Sequence, residues 1–323
     1  MIYVIKWGEY MKIGMVLAGG GARGAYQIGV WKALRKLNID KYINVISGTS
    51  IGALNAILFM KGDLEQAEKL WYEISKHTVL PTDNKDLIAR SILITLGSKN
   101  MGFVKKYIPK ALESGNISRS GLLNILDNYI DFDKVMKKNI ICYATCTEVP
   151  EFIPKYFKIN EHSVDNVKRI LLATSALPMI YESQNVEEKH YLDGGMVDNV
   201  PIQPVYGERC DIIIVVGLSK VLDINKRMYP NTKFIEIVPK RINDSFVDGT
   251  LDFKKEGSMK RIRQGYEDTI EYISPIFELN DFINKEKIKD MDYIGKKNKK
   301  IFFDILKQKI FKNNNDDNGR KIR

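Results

Sequence analysis

Two glycine-rich turns dominate the first part of this 323-residue chain, and each falls where a short apolar run hands over to a helical pattern. The first is Ile13-Gly14-Met15-Val16-Leu17-Ala18 followed by Gly19-Gly20-Gly21-Ala22-Arg23-Gly24. The second is Val45-Ile46-Ser47 followed by Gly48-Thr49-Ser50-Ile51-Gly52. A loop rich in glycine exposes backbone N–H groups. A serine between Gly48 and Gly52 stands on a turn where a side chain at either flank would strike the neighbouring strand or helix. A nucleophile and an anion-binding loop are the parts that acyl transfer requires. Asp193-Gly194-Gly195, further along, offers a carboxylate as base.

Apolar runs alternate with helical periodicity from Lys12 to about Pro239. Strands are expected at 13–17, 43–47, 139–147, 152–158, 188–192, 211–217 and 233–238. Helices are expected at 24–37, 51–61, 63–76, 119–130, 163–174 and 201–207. Runs such as Ile212-Ile213-Ile214-Val215-Val216 are continuous rather than alternating, which suits strands buried on both faces. The pattern predicts an α/β fold with a mostly parallel sheet between helical layers. Gly62-Asp63 reads as the end of one helix and the cap of the next, Ser118 or Ser120 as a cap, and Asn199-Val200-Pro201 as a cap with proline in the first turn.

The domain division expected is an extension at 1–11, a catalytic domain at 12–240 and a helical C-terminal extension at 241–323. Met11 would serve equally well as a start. Within the catalytic part, 78–118 has a weaker pattern and reads as a variable segment covering an apolar pocket. No apolar run approaches the ~18 residues of a membrane span, and Lys6, Glu9 and Lys12 break up any signal-peptide core. Three cysteines without a CxxC, and three histidines, give little support to disulfides or zinc. Cys142 and Cys146 share one face of a strand and read as core thiols. A cytoplasmic protein is expected. Of the net charge of +10, residues 281–323 hold 13 Lys+Arg against 7 Asp+Glu. Within that tail Ile301, Phe302, Ile305, Leu306 and Ile310 fall on one helical face. Docking of that face on the core is the favoured reading; peripheral contact with an anionic membrane is the other. No nucleic-acid partner is expected, and oligomeric state is open.

Each motif has a plainer reading. Ser50 could be a helix cap, and Asp-Gly is a common turn signal. The Gly19–Gly24 loop could be a dinucleotide turn, but the acidic residue such a site needs at the end of the second strand is absent, since Asp40 precedes that strand. The histidines decide the mechanism. His77, His162 and His190 all come before or beside Asp193, so a Ser, Asp, His order along the chain is unavailable. His77 and His162 read as surface residues. A serine–aspartate dyad is the economical solution.

These three motifs, with Ala173-Thr174-Ser175-Ala176-Leu177-Pro178 and Asn199-Val200-Pro201, closely resemble those of the patatin-like phospholipases over residues 12 to about 240. The resemblance implies a three-layer α/β/α sandwich and lipid acyl hydrolysis of phospholipid or lysophospholipid esters. Ser50 would be the nucleophile and Asp193 the base, carried on a loop with Gly194 and Gly195. Gly19, Gly20, Gly21, Ala22, Arg23 and Gly24 would form the oxyanion hole, with Arg23 holding its shape, and Gly48 and Gly52 would make the nucleophile elbow. No metal or cofactor is implied. Acyl transfer on the same dyad, or a non-catalytic lipid- or nucleotide-binding role, are the alternatives.

Overall fold

The computed structural model describes residues 12–79, 83–97, 115–241 and 246–289. The proposed extension at 1–11 and the amphipathic stripe at 301–310 lie outside the described residues. The chain divides into two compact units, Met1–Ile270 and Glu271–Arg323. The described part of the second is the end of one long helix, Lys255–Lys289, which carries Pro275.

The first unit is built on one eight-stranded sheet. Its strands are β1 (Ile13–Leu17), β2 (Ile43–Thr49), β3 (Ile141–Val149), β4 (Ile153–Lys158), β5 (Gln184–Val186), β6 (Lys189–Asp193), β7 (Ile212–Val216) and β8 (Lys233–Ile237). Five of them run parallel in the order β3-β2-β1-β7-β8. β4 and β6 join β3 antiparallel, and β5 pairs antiparallel with β6. All seven expected strands are present. β5 is an addition, three residues long and mostly polar, below what periodicity can register.

Continuous Val and Ile runs form the parallel core because helices cover both faces. On one face Val16, Val45, Ile213 and Val215 meet Ile202 and Val205 of the helix Ile202–Gly207. On the other lies the helix Ile51–Lys61, apolar nearly all round, with Ala53, Ala56, Ile57 and Met60 buried. Such a helix is stable only between layers. The helix Lys85–Gly97 sets Ile88 and Ile92 into a cluster with Val149, Phe152, Ile180 and Leu192, which covers the antiparallel wing.

One helix end is as expected and two differ in detail. Gly62 closes one helix with φ 82° and Asp63 caps the next by accepting from Gln66 N. Arg119, not Ser118 or Ser120, occupies the cap position of Ser120–Tyr129, and Ser118 Oγ accepts from Ser120 N. Pro201 is itself the cap residue of Ile202–Gly207, and the Asn199 side chain is used elsewhere. All three cysteines are buried and free.

Candidate active site

Ser50 follows β2 directly and precedes the helix Ile51–Lys61. Its backbone has φ 55° and ψ −125°, a conformation that a non-glycine residue holds only when its surroundings enforce it. The enforcement is close backbone packing on both sides. A Cβ on Gly48 would stand 2.3 Å from the carbonyl carbon of Gly52, and one on Gly52 would stand 2.2 Å from the Leu17 carbonyl oxygen of β1. Ser50 N donates to Thr174 Oγ1 at 2.9 Å, and Thr174 in turn donates to the Thr145 carbonyl. Ser50 thus sits at the positive end of a helix, raised above the sheet edge.

Asp193 ends β6 and is fully buried. Its Oδ2 accepts from Ser50 Oγ at 2.7 Å and its Oδ1 from Gly195 N at 2.8 Å. Its backbone is tied at both ends, N–H to Ala176 O at 2.9 Å and C=O to Thr147 Oγ1 at 2.7 Å. Burial pushes the carboxyl up to about 6, against the pull of the Ser50 and Gly195 hydrogen bonds and the nearby Arg119 charge. At neutral pH it is mostly ionised yet more basic than an ordinary aspartate.

The Gly19–Gly24 loop lies beside this pair. Gly19 is clamped by one residue: its N–H donates to Asn199 O, and its carbonyl accepts from Asn199 Nδ2, each at 3.2 Å. Gly20 and Gly21 line the same pocket as Ser50 and Asp193. Gly21 has φ 56°, and a Cβ there would meet the Thr250 carbonyl oxygen at 2.5 Å. Ala22, Arg23 and Gly24 are buried in the short helical turn that follows, with Arg23 Nη1 donating to Leu218 O at 3.4 Å. A buried polar network joins the loop to the serine's helix. Gln27 Nε2 donates to Ala18 O at 2.7 Å. Asn55 Nδ2 donates to Gln27 Oε1 at 2.8 Å and to Gly24 O at 3.0 Å, and Trp71 Nε1 donates to Asn55 Oδ1 at 3.0 Å.

The rest of the pocket wall is mainly apolar, with Ile51, Leu54, Ile92, Leu122, Leu177 and Phe253 among its residues. Arg119 is the one cation among the described lining residues. Sequence spacing singled out neither Arg119, Asn55 nor Gln27, because what they do is set by contacts made across the fold. The histidines stand apart. His190 is exposed and bonds with Ser183 Oγ at 3.1 Å. His162, expected on the surface, is half-buried against Phe157 and pairs with Glu187 at 3.1 Å. The His77 side chain lies outside the described residues. Asp40 precedes β2, at the opposite end of that strand from Ser50, and pairs with Arg35 at 2.8 Å. Among the described residues no cluster of His, Cys, Asp and Glu could hold a metal ion, and no helix is long and apolar enough to cross a membrane.

A mostly parallel sheet with a strained serine elbow, a glycine-rich loop and an adjoining aspartate defines a class of α/β proteins. The chain belongs to the patatin-like phospholipase family, whose model matches residues 15–206. It is 28% identical over 223 residues to the lysophospholipase nte1 of Aspergillus terreus, covering 67% of this chain and 12% of that protein. It is 27% identical over 234 residues to the lysophospholipase NTE1 of Kluyveromyces lactis, covering 67% and 13%. The chain therefore spans about an eighth of the length of these relatives. Solved structures that resemble it include VipD from Legionella pneumophila, with a TM-score of 0.45 and 14% identity over 82% of this chain and 67% of that one. Human GIVD cytosolic phospholipase A2 bound to methyl gamma-linolenyl fluorophosphonate gives 0.42 and 12% over 80% and 57%.

Proposed function

We propose that this chain hydrolyses carboxylic esters of phospholipids or lysophospholipids through a Ser50–Asp193 dyad. The observation that carries the reading is the 2.7 Å hydrogen bond from Ser50 Oγ to the buried Asp193 carboxyl, both lining one mainly apolar pocket. The Ser50 proton passes to Asp193 Oδ2 as Oγ attacks the ester carbonyl. The amides of Gly20 and Gly21 receive the tetrahedral oxyanion, and one such donor is worth ~3 kcal/mol of barrier. Protonated Asp193 then delivers its proton to the departing alcohol oxygen. Water attacks the acyl-serine, its proton going to Asp193 and on to Ser50 as the fatty acid leaves.

The test is labelling with a fluorescent fluorophosphonate, mass spectrometry of the modified peptide, and lysophospholipid hydrolysis on the same samples. Wild type is expected to label at Ser50 and hydrolyse the lipid. Ser50→Ala removes both, and Asp193→Asn slows both steeply. A folded wild type that neither labels nor hydrolyses, or a fully active Asp193→Asn enzyme, overturns the reading.

A further inference from the structure

A pocket that only had to take a hydrocarbon chain would have no use for a cation, yet Arg119 lines this one. The residue is half-buried at the start of the helix Ser120–Tyr129. Nη1 donates to Ser175 O at 3.2 Å and Nη2 to Ser175 Oγ at 2.7 Å. Its guanidinium carbon lies 4.1 Å from the centre of the Tyr181 ring. Both supports are themselves fixed. Ser175 Oγ donates to Leu171 O at 2.7 Å, and the buried Tyr181 donates its hydroxyl to the Val79 carbonyl.

These contacts orient the guanidinium without neutralising it. Two of its five N–H donors are engaged, and both go to uncharged oxygens. Among the described residues Arg119 forms no ion pair. Asp193 acts on it through space without a hydrogen bond, and burial outweighs that help and draws its pKa down to about 10. Burying a charge this way is costly unless a partner arrives. A stacked, oriented guanidinium with free donors is the arrangement that matches a phosphate or carboxylate with two parallel hydrogen bonds.

We propose that Arg119 is the specificity-determining residue of this pocket, and that it reads the phosphate of a glycerophospholipid whose ester lies at Ser50. The inference rests on the hydrolase reading above. The glycerol backbone holds phosphate and ester only a few bonds apart, so one pocket takes both. The carboxylate of a released fatty acid presents similar chemistry and is the competing source.

The experiment compares wild type, Arg119→Gln and Arg119→Lys on a lysophosphatidate and on the monoacylglycerol with the same chain. It is run at pH 8, well above the Asp193 titration. With Arg119→Gln, kcat/KM on the lysophosphatidate is expected to fall about 30-fold or more, chiefly through KM, and to fall several-fold less on the neutral ester. Arg119→Lys restores part of the loss, as a point charge without the fork. An equal loss on both esters makes Arg119 a support for Ser175 and Tyr181 only, and overturns the proposal; so does no loss. A second readout needs no turnover. In the Ser50→Ala protein, affinity for 1-O-decylglycerol phosphate, an uncleavable ether, is compared with that for 1-O-decylglycerol and decanoate. Arg119→Gln added to that protein should weaken only the phosphate compound by a similar factor. Weakening of decanoate alone would assign the guanidinium to product and overturn the phosphate reading. Failure of the hydrolase reading appears separately, as a wild type that neither labels nor turns over either ester.

Discussion

Asp193 stands opposite Cys146 on β3, one position beyond the point where Thr145 stands opposite Thr49. The other edge of β3 over this stretch is taken by β4, so β2 and β6 occupy the same edge in succession and meet end to end. β2 arrives from one direction and β6 from the other. The residue leaving β2 is Ser50 and the residue ending β6 is Asp193. The spacing of Ser50 and Asp193 is therefore a consequence of strand register, and no flexible loop has to find it.

Activity should follow the ionisation of Asp193. Its pKa is raised to about 6, and only the carboxylate can accept the serine proton. kcat/KM on a soluble ester is expected to be low at pH 5 and to climb to a plateau above pH 7 with an apparent pKa near 6. A profile flat from pH 5 to 8 would show that another group takes the proton.

The same shift opposes folding. Because the folded pKa lies above the ordinary aspartate value, the protonated carboxyl is the form the fold favours. That contribution is complete below about pH 4 and is lost as pH rises through about 6. Asp193→Asn should accordingly be more stable than wild type at pH 8, by roughly 1–3 kcal/mol, and nearly equal to it at pH 4. Urea titrations at the two pH values measure this directly, and the same variant should have lost its hydrolysis.

Thr174→Val removes the hydroxyl that accepts the Ser50 amide and bonds back to Thr145. The left-handed serine loses its tether and a buried N–H loses its acceptor. We expect a folded protein, destabilised by about 2 kcal/mol, with fluorophosphonate labelling slowed by about tenfold or more. Thermal melts and labelling rates on the same preparation separate the two effects.

Asn55→Leu should be harsher. It strands the Trp71 N–H, the Gln27 carbonyl and the Gly24 carbonyl inside the protein. A loss of about 3 kcal/mol is expected. Hydrogen exchange should rise in both the Gly19–Gly24 loop and the helix Ile51–Lys61, because the network holds one to the other.

The parallel core and the two glycine turns were legible because their constraints are local. Val and Ile runs buried on both faces have one common use, and Gly48 and Gly52 tolerate no side chain within their own turn. Asp193 was legible through its glycines and the lack of a later histidine. β5 was not, since three residues carry no periodicity. Arg119 was hidden for a different reason. Its supports, Ser175 and Tyr181, are more than fifty residues away along the chain, and nothing near position 119 encodes them. His162 gains part of its cover from Phe157 nearby in sequence, but Glu187 reaches it only through the fold of the antiparallel wing.

The pair that would carry out the reaction hangs on the sheet, whereas the surrounding wall is contributed by separate stretches: Ile92 from the helix Lys85–Gly97, Arg119 and Leu122 from the start of the helix Ser120–Tyr129, Leu177 and Tyr181 from a loop, Thr250 and Leu251 from the helix Phe246–Leu251, and Phe253 from just beyond it. On the proposed reading, chemistry and selectivity are written in different parts of the chain. Mutational drift in those wall segments would then retune which ester enters while the Ser50–Asp193 geometry stays untouched, so variants of this scaffold should diverge in diet long before they diverge in reaction.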